Sequence, residues 1–230
     1  MSRFMTDSRF KGVIFDLDGT IIRSEIDLPG MKRRMIRVLE ANDIPPGLLT
    51  PNQTTVDILI KAEEIWREND KPENEIEEIH KVIEEIMNHA ELTAIPMINE
   101  VEGATKTLIK LKMKGLRLAV LTRSHRAYAV EVLKKIGAYE HFDLILGRGE
   151  TPRPKPYPEA LQHTAKLLGL SLREVCFVGD HQIDASAASN AGCLFIGVRT
   201  GPRGDDSWTR GEPEILLDSI RDLPDLLEKL

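Results

Sequence analysis

Six residues drawn from four separate segments of a 230-residue chain could act together on a phosphate group. Asp16 and Asp18 stand two apart in Phe15-Asp16-Leu17-Asp18-Gly19-Thr20. Thr122 lies in Leu121-Thr122-Arg123-Ser124, Lys155 in Pro154-Lys155-Pro156, and Asp180 follows Val178-Gly179, with Asp184 one helical turn on. Any one of them alone reads as a helix cap or turn residue, since Asp, Ser and Thr favour those places. Together they resist that reading, because four carboxylates converging on one place repel each other at neutral pH unless a divalent cation or a required charge offsets the cost. Oxygen-only ligands with no His or Cys of a zinc site point to Mg²⁺. A single lysine beside them adds positive charge where phosphate oxygens would lie.

The elements that must position these residues can be read from the apolar pattern. Five short apolar runs bounded by Gly, Pro or polar residues predict buried strands: Gly12 to Leu17, Leu116 to Thr122, Phe142 to Leu146, Glu174 to Val178 and Cys193 to Val198. Amphipathic helices are expected between the last four, at Tyr128 to Ile136, Tyr157 to Leu168 and Gln182 to Ala191, with Gly137, Gly169 and Gly192 where C-caps stand. Alternating strands and helices make a doubly wound α/β core with a mainly parallel sheet. Ligands of such sheets bind at the carboxyl edge of the strands, and that is where these polar residues fall.

The alternation breaks between the first two strands. Residues 23–96 hold no strand pattern but three helical stretches, Met31 to Leu39, Val56 to Glu68 and Glu75 to Met87, the last two joined by Asn69-Asp70-Lys71-Pro72. The expected organisation is a core made of residues 1–22 and 97–230 with an inserted α-helical domain at 23–96. The Glu-rich face of the insertion and its basic run Lys32, Arg33, Arg34 and Arg37 read as solvated helix faces. Trp66 and Trp208 read as packing residues.

Composition excludes several other classes. The chain is 41% hydrophobic and 30% charged, which places it among globular proteins and away from disordered or fibrous ones. Its 31 basic against 37 acidic residues give a net charge of -6, so nucleic acid is not an expected partner. Cys176 and Cys193 sit in apolar runs and offer neither a disulfide framework nor a thiolate cluster. No segment reaches the ~20 apolar residues that span a bilayer, so no membrane association is expected. The opening MSRFMTDSRFKG lacks a secretory signal's apolar core. A cytoplasmic location follows, with the first ten or so residues as a loose arm.

Four ordered motifs carry a resemblance to a known family. Asp16 to Thr20 (DLDGT), Thr122 in VLTRS, Lys155 in PRPKPYPEAL and GDHQIDASAASNAG at 179–192 are similar to the four motifs of the haloacid dehalogenase-like superfamily, and within it to the phosphoglycolate phosphatase-like members with a helical cap inserted after the first strand. The resemblance covers residues 12–198 and implies a Rossmann-like core and a Mg²⁺-dependent phosphatase that hydrolyses a small-molecule phosphomonoester through an aspartyl-phosphate. On that resemblance Asp16 is the nucleophile and Asp18 the general acid and base. Mg²⁺ is held by Asp16, Asp180, Asp184 and the backbone carbonyl of Asp18. Thr122 and Lys155 bind the phosphoryl oxygens, helped by backbone amides at Gly19, Arg123 and Ser124.

Three positions depart from the common pattern: Ile21-Ile22-Arg23-Ser24-Glu25 where relatives often carry an Asp before Ser, Arg123 where Asn is frequent, and His181 where a small hydroxyl residue is usual. Two other readings of the same residues are a phosphosugar mutase of the family and a non-enzymatic phospho-acceptor module resembling signalling receivers. Such modules are about half this length and lack an acid two residues after the acceptor. A dehalogenase would need neither Asp18 nor a metal. The expected protein is a monomer or homodimer.

Overall fold

The structure, a computed structural model, describes residues 9–230. Residues 1–8, most of the expected N-terminal arm, lie outside the described residues; Phe10, at the arm's end, buries its ring. The described elements begin with β1 (Gly12–Phe15) and β2 (Ile22–Arg23), followed by helices α1 (Leu28–Glu40), α2 (Thr55–Glu68) and α3 (Glu73–Ala94). Then come β3 (Asn99–Glu100), α4 (Ala104–Met113), β4 (Arg117–Leu121), α5 (Arg126–Lys135), β5 (Leu144–Leu146) and α6 (Pro158–Leu167). The chain closes with β6 (Val175–Gly179), α7 (Gln182–Ala191), β7 (Leu194–Val198), β8 (Leu216–Leu217) and α8 (Leu223–Leu227).

Six strands form one parallel sheet in the order β5-β4-β1-β6-β7-β8. From the central β1 the chain winds outward through β4 and β5, then crosses back to β6 and winds the other way. The carboxyl end of β1 therefore lies at the switch between the two directions, the place where an open α/β sheet forms its crevice. Every residue of β1 and β6 is buried, as strands covered on both faces require. Around them pack Ala160, Leu161 and Ala165 of α6 and Ala187 and Ala188 of α7.

The chain divides into two compact units, residues up to Ser24 with Met97–Leu230, and Glu25–Pro96. The second unit is helical and has its own apolar core, in which Met35, Leu39, Ile58, Trp66, Ile79 and Ile83 are buried. Trp66 is sealed, and its indole N–H donates to the Asn42 carbonyl at 2.7 Å. A capping box at Thr54 and Asp57 starts α2. The chain leaves the first unit just after β2 and re-enters just before β3, and these two short strands pair antiparallel, Ile22 opposite Glu100 and Arg23 opposite Asn99. Among the described residues, no helix is long and apolar enough to cross a membrane.

Candidate active site

Strand ends, the loops beyond them and the first turns of α5 and α7 supply the polar groups of the site. After β1 the backbone continues the ladder for one residue, Asp16 N–H donating to Val178 O at 2.8 Å. It then turns back sharply: the Leu17 carbonyl accepts from the amides of Thr20, Ile21 and Ile22, and Gly19 N–H donates to Ile22 O at 2.7 Å. Gly19 takes φ +88° in this turn, a conformation glycine adopts without the Cβ penalty. Asp16 is buried there and Asp18 half-buried.

Lys155 is the hinge of the charge arrangement. Its Nζ lies 2.5 Å from Asp16 Oδ1 and 2.7 Å from Asp184 Oδ1, with all three side chains shielded from water. Asp184 is held a second time at the start of α7, where its Oδ2 accepts from His181 N–H at 3.2 Å and closes a capping box. Asp180 stands on the same edge, its Oδ1 accepting from Thr20 Oγ1 at 3.5 Å. One carboxylate oxygen from each of Asp16, Asp180 and Asp184 lies within 4.8 Å of the other two.

Two of the three carboxylates bind the one ammonium and the third, Asp180, stands beside them, so the shortage of positive charge falls on the acids. Burial, partly offset by the Lys155 charge, lifts the Asp16 carboxyl from 3.8 to about 7, with Asp184 and Asp18 adding to the rise. Asp180 is pushed well above its ordinary value by burial and then by Asp16 and Asp184. Burial lowers the Lys155 pKa, but Asp16 and Asp184 outweigh it and hold the ammonium above its ordinary value. With Asp16, Asp180 and Asp184 ionised, their three negative charges against the one positive charge of Lys155 leave two uncompensated before Asp18 is counted, a surplus that a divalent cation would offset, and the donors are all oxygens of the kind Mg²⁺ takes. These residues fit such an ion.

Two glycines make room for Asp180. A Cβ at Gly201, in the loop after β7, would collide with Asp180 Oδ2, and one at Gly19 would stand 2.5 Å from the same oxygen. Thr200 Oγ1 donates to Gly19 O at 2.7 Å and ties that loop to the turn after β1. Gly201 and Thr200 were outside the expected site; the only trace they leave in the sequence is their place just past an apolar run ending at Val198.

Asp18 has different partners from Asp16. Ser124 Oγ donates to its Oδ2 at 2.9 Å and Tyr128 OH to its Oδ1 at 2.7 Å. Tyr128 reads in the sequence as an apolar position of a helix, and its ring is indeed sealed; nothing in the spacing points to its hydroxyl. Thr122 is buried at the end of β4, and its Oγ1 accepts from Ser124 N–H at 3.0 Å. The amides of Gly19 and Ser124, expected to face substrate, are thus engaged internally by the turn after β1 and by the Thr122 hydroxyl. Arg123 is half-buried, its carbonyl accepting from Arg148 Nη1 at 3.2 Å. His181 Nδ1 accepts from Ile183 N–H. Burial depresses the His181 pKa, opposed by Asp184 and reinforced by Arg203 and Arg123.

This geometry can be set beside known proteins. The family model described as haloacid dehalogenase-like hydrolase matches residues 13–198, which include every site residue above except Thr200 and Gly201. The chain belongs to the haloacid dehalogenase-like hydrolase family. It is 31% identical over 238 residues to a phosphoglycolate phosphatase of Neisseria meningitidis, covering 96% of this chain and 93% of that one. It is 26% identical to a phosphoglycolate phosphatase of Pectobacterium atrosepticum, covering 94% and 92%. A crystal structure of a predicted phosphoglycolate phosphatase from Haemophilus somnus superposes with a TM-score of 0.66 at 23% identity, covering 96% of this chain and 99% of that one. A superfamily hydrolase of Geobacter sulfurreducens gives 0.60 at 20%, covering 94% and 99%. At these identities the structures show a shared fold. As a member of this hydrolase family the protein is an enzyme, and its buried acidic cluster sits at the carboxyl edge of the shared sheet.

Proposed function

We propose that the protein is a Mg²⁺-dependent phosphatase that hydrolyses a small-molecule phosphomonoester, of the phosphoglycolate type, through an aspartyl-phosphate on Asp16. The observation that carries this reading is the separation of two neighbouring carboxylates: Asp16 shares Lys155 with Asp184, while Asp18 is held by two hydroxyls on another segment. Two acids two residues apart, one beside an ammonium and one held by hydroxyls, can take different parts, nucleophile and proton carrier. The names of the relatives support phosphoglycolate as the first ester to try.

In the first step a carboxylate oxygen of Asp16 forms a bond to phosphorus, the ester P–O bond breaks, and Asp18 gives its proton to the departing alkoxide oxygen. In the second, water attacks phosphorus and loses its proton to Asp18, the Asp16–phosphorus link breaks, and inorganic phosphate leaves. Asp16, Asp180, Asp184 and the Asp18 carbonyl would hold the cation, which when bound offsets the surplus negative charge and polarises a phosphoryl oxygen. The Thr122 hydroxyl, whose oxygen already accepts from Ser124 N–H, keeps its own proton to donate to a phosphoryl oxygen. Lys155 restrains Asp16 and offsets charge on the transferring group. A reducing cytoplasm is the compartment we propose, and the two buried free thiols fit it.

The test is a panel of phosphate esters offered to purified protein with Mg²⁺, with Asp16→Asn as the control. Turnover of phosphoglycolate or a similarly small ester, absent in the variant, supports the reading. Absence of hydrolysis across the panel by the wild type overturns it.

A further inference from the structure

We propose that Tyr128, with Ser124, is a positioning residue that fixes the carboxyl of Asp18 for proton transfer. The inference rests on the phosphatase reading above, in which Asp18 is the proton carrier. Tyr128 lies in the first turn of α5, 110 residues from Asp18 in sequence, and its ring is fully buried. A phenylalanine would fill the same space, and a buried hydroxyl is costly unless it is partnered. Its partner is Asp18 Oδ1 at 2.7 Å.

One hydrogen bond would leave the carboxyl free to rotate about that contact. The second, from Ser124 Oγ to Oδ2 at 2.9 Å, grips the other oxygen, and two donors on two oxygens fix the plane of the group as well as its place. That orientation decides whether a proton on Asp18 points along the path to a leaving oxygen, and small misplacements of a reacting group cost large factors in rate. Both donors are hydroxyls, which accept as well as donate, so the grip can be kept when Asp18 carries the proton.

The support is itself braced. Ser124 N–H donates to Thr122 Oγ1 at 3.0 Å, and Ser124 O accepts from Arg148 N–H at 2.9 Å. Gly147, at the end of β5, packs so closely that a Cβ there would lie 2.5 Å from Arg126 N. The segment from Thr122 to Tyr128 thus aims two groups at once, the Thr122 hydroxyl proposed to meet the phosphoryl oxygen and the Asp18 carboxyl proposed to meet the leaving oxygen. Asp18 is only half-buried, so packing alone does not hold it.

The test compares Tyr128→Phe, Ser124→Ala, the double variant and Asp18→Asn on phosphoglycolate, which has an alkoxide leaving group, and on p-nitrophenyl phosphate, whose leaving group needs little protonation. Tyr128→Phe keeps the buried ring, and thermal unfolding checks that it stays folded. Expected for Tyr128→Phe is a kcat loss of about 10- to 100-fold on phosphoglycolate with KM changed less than about threefold, and a loss below about threefold on p-nitrophenyl phosphate. Ser124→Ala should show the same split, and the double variant should approach Asp18→Asn. If Asp18→Asn shows the split and neither hydroxyl variant does, the positioning role is overturned while the phosphatase reading stands. If Asp18→Asn itself loses equally on both esters, the acid role falls and takes this proposal with it. Wild-type failure on both esters would overturn the underlying function instead. Should Tyr128→Phe unfold, Ser124→Ala against Ser124→Thr decides: rescue by threonine supports the grip, and equal activity of all three proteins refutes it.

Discussion

Lys155 Nζ stands 2.5 Å from Asp16 Oδ1, with side-chain exposures of only 3% and 11%. An ion pair so enclosed is a poor source of net stability, because desolving both charges offsets most of their attraction, but breaking it strands the survivor. Here the survivors are two, since Asp184 depends on the same ammonium. Lys155→Met, which keeps the volume and deletes the charge, should lower unfolding free energy in metal-free buffer by about 3–5 kcal/mol and remove turnover. A denaturant midpoint unchanged from wild type would show that the cluster tolerates the loss of its cation.

Asp16 carries a pH signature of its own. Its folded value of about 7 lies above the ordinary 3.8, so between those values the folded protein holds a proton that the unfolded chain has released. The stability this group contributes is present in full below the unfolded value and is lost as pH rises through the folded one. Asp16→Asn cannot ionise. In chelator, the variant should therefore gain on the wild type between roughly pH 4 and 7, by up to about 1.4 kcal/mol per pH unit at the steepest. Melting curves of the two proteins that stay parallel across this range would count against the raised value.

The core strands and the acids are legible in the sequence, and what steadies them is not. Five strands and the helix from Gln182 to Ala191 were legible because buried parallel strands are continuous apolar runs and because Gly192, at φ +70°, ends that helix. β8 is two residues long, and β2 and β3 form a two-residue ribbon, all too short for any period to register. α4 is faint in the sequence, because its buried face, Ala104, Thr107, Leu108 and Leu111, includes a threonine and a small alanine and so carries only two large apolar residues. Within the site, Asp16 and Asp180 are named by charge type at strand ends, and Asp184 and Lys155 by charge type in the segments that follow strands. Tyr128 and Gly201 are not, because one acts through a single oxygen on a packing residue and the other through the absence of a side chain.

Gly201 gives a direct check on that last point. A methyl group there would overlap Asp180 Oδ2, so either the loop after β7 or the Asp180 carboxylate must move. Gly201→Ala should weaken Mg²⁺ affinity by about 10- to 100-fold, the range seen when groups behind a metal ligand are altered. Calorimetric titration of the metal reads this without turnover. Wild-type affinity in the variant would mean that the loop gives way and Asp180 stays.

Metal exchange tests the proposed ion by its size. Activity should vanish in EDTA, return with Mg²⁺ and be inhibited by Ca²⁺, which takes longer bonds and more oxygens. A larger ion that draws both oxygens of Asp16 would leave none to attack phosphorus. Steady-state rates with each ion after chelation settle the matter, and full turnover in EDTA would discard the metal assignment and reopen the dehalogenase reading.

The inserted helical unit, proposed as a cap, can be removed where the fold allows it. An aspartyl-phosphate at the open edge of a sheet needs shelter from water and a means of choosing among esters, which is the part a covering element plays. Glu25–Pro96 has its own apolar core, and its two stems are already joined, Ile22 pairing with Glu100 and Arg23 with Asn99. A short Gly/Ser loop can therefore close the gap without stretching the sheet unit. The shortened protein should fold, as read by a cooperative thermal transition, and should keep weak activity on p-nitrophenyl phosphate. Its preference among natural esters should collapse, with the spread of kcat/KM values across the panel narrower than in the wild type. If the full preference survived instead, selectivity would have to reside in the loops of the sheet unit, at Arg123 to Arg126 and Arg148 to Arg153, and the insertion would be ballast for the reaction.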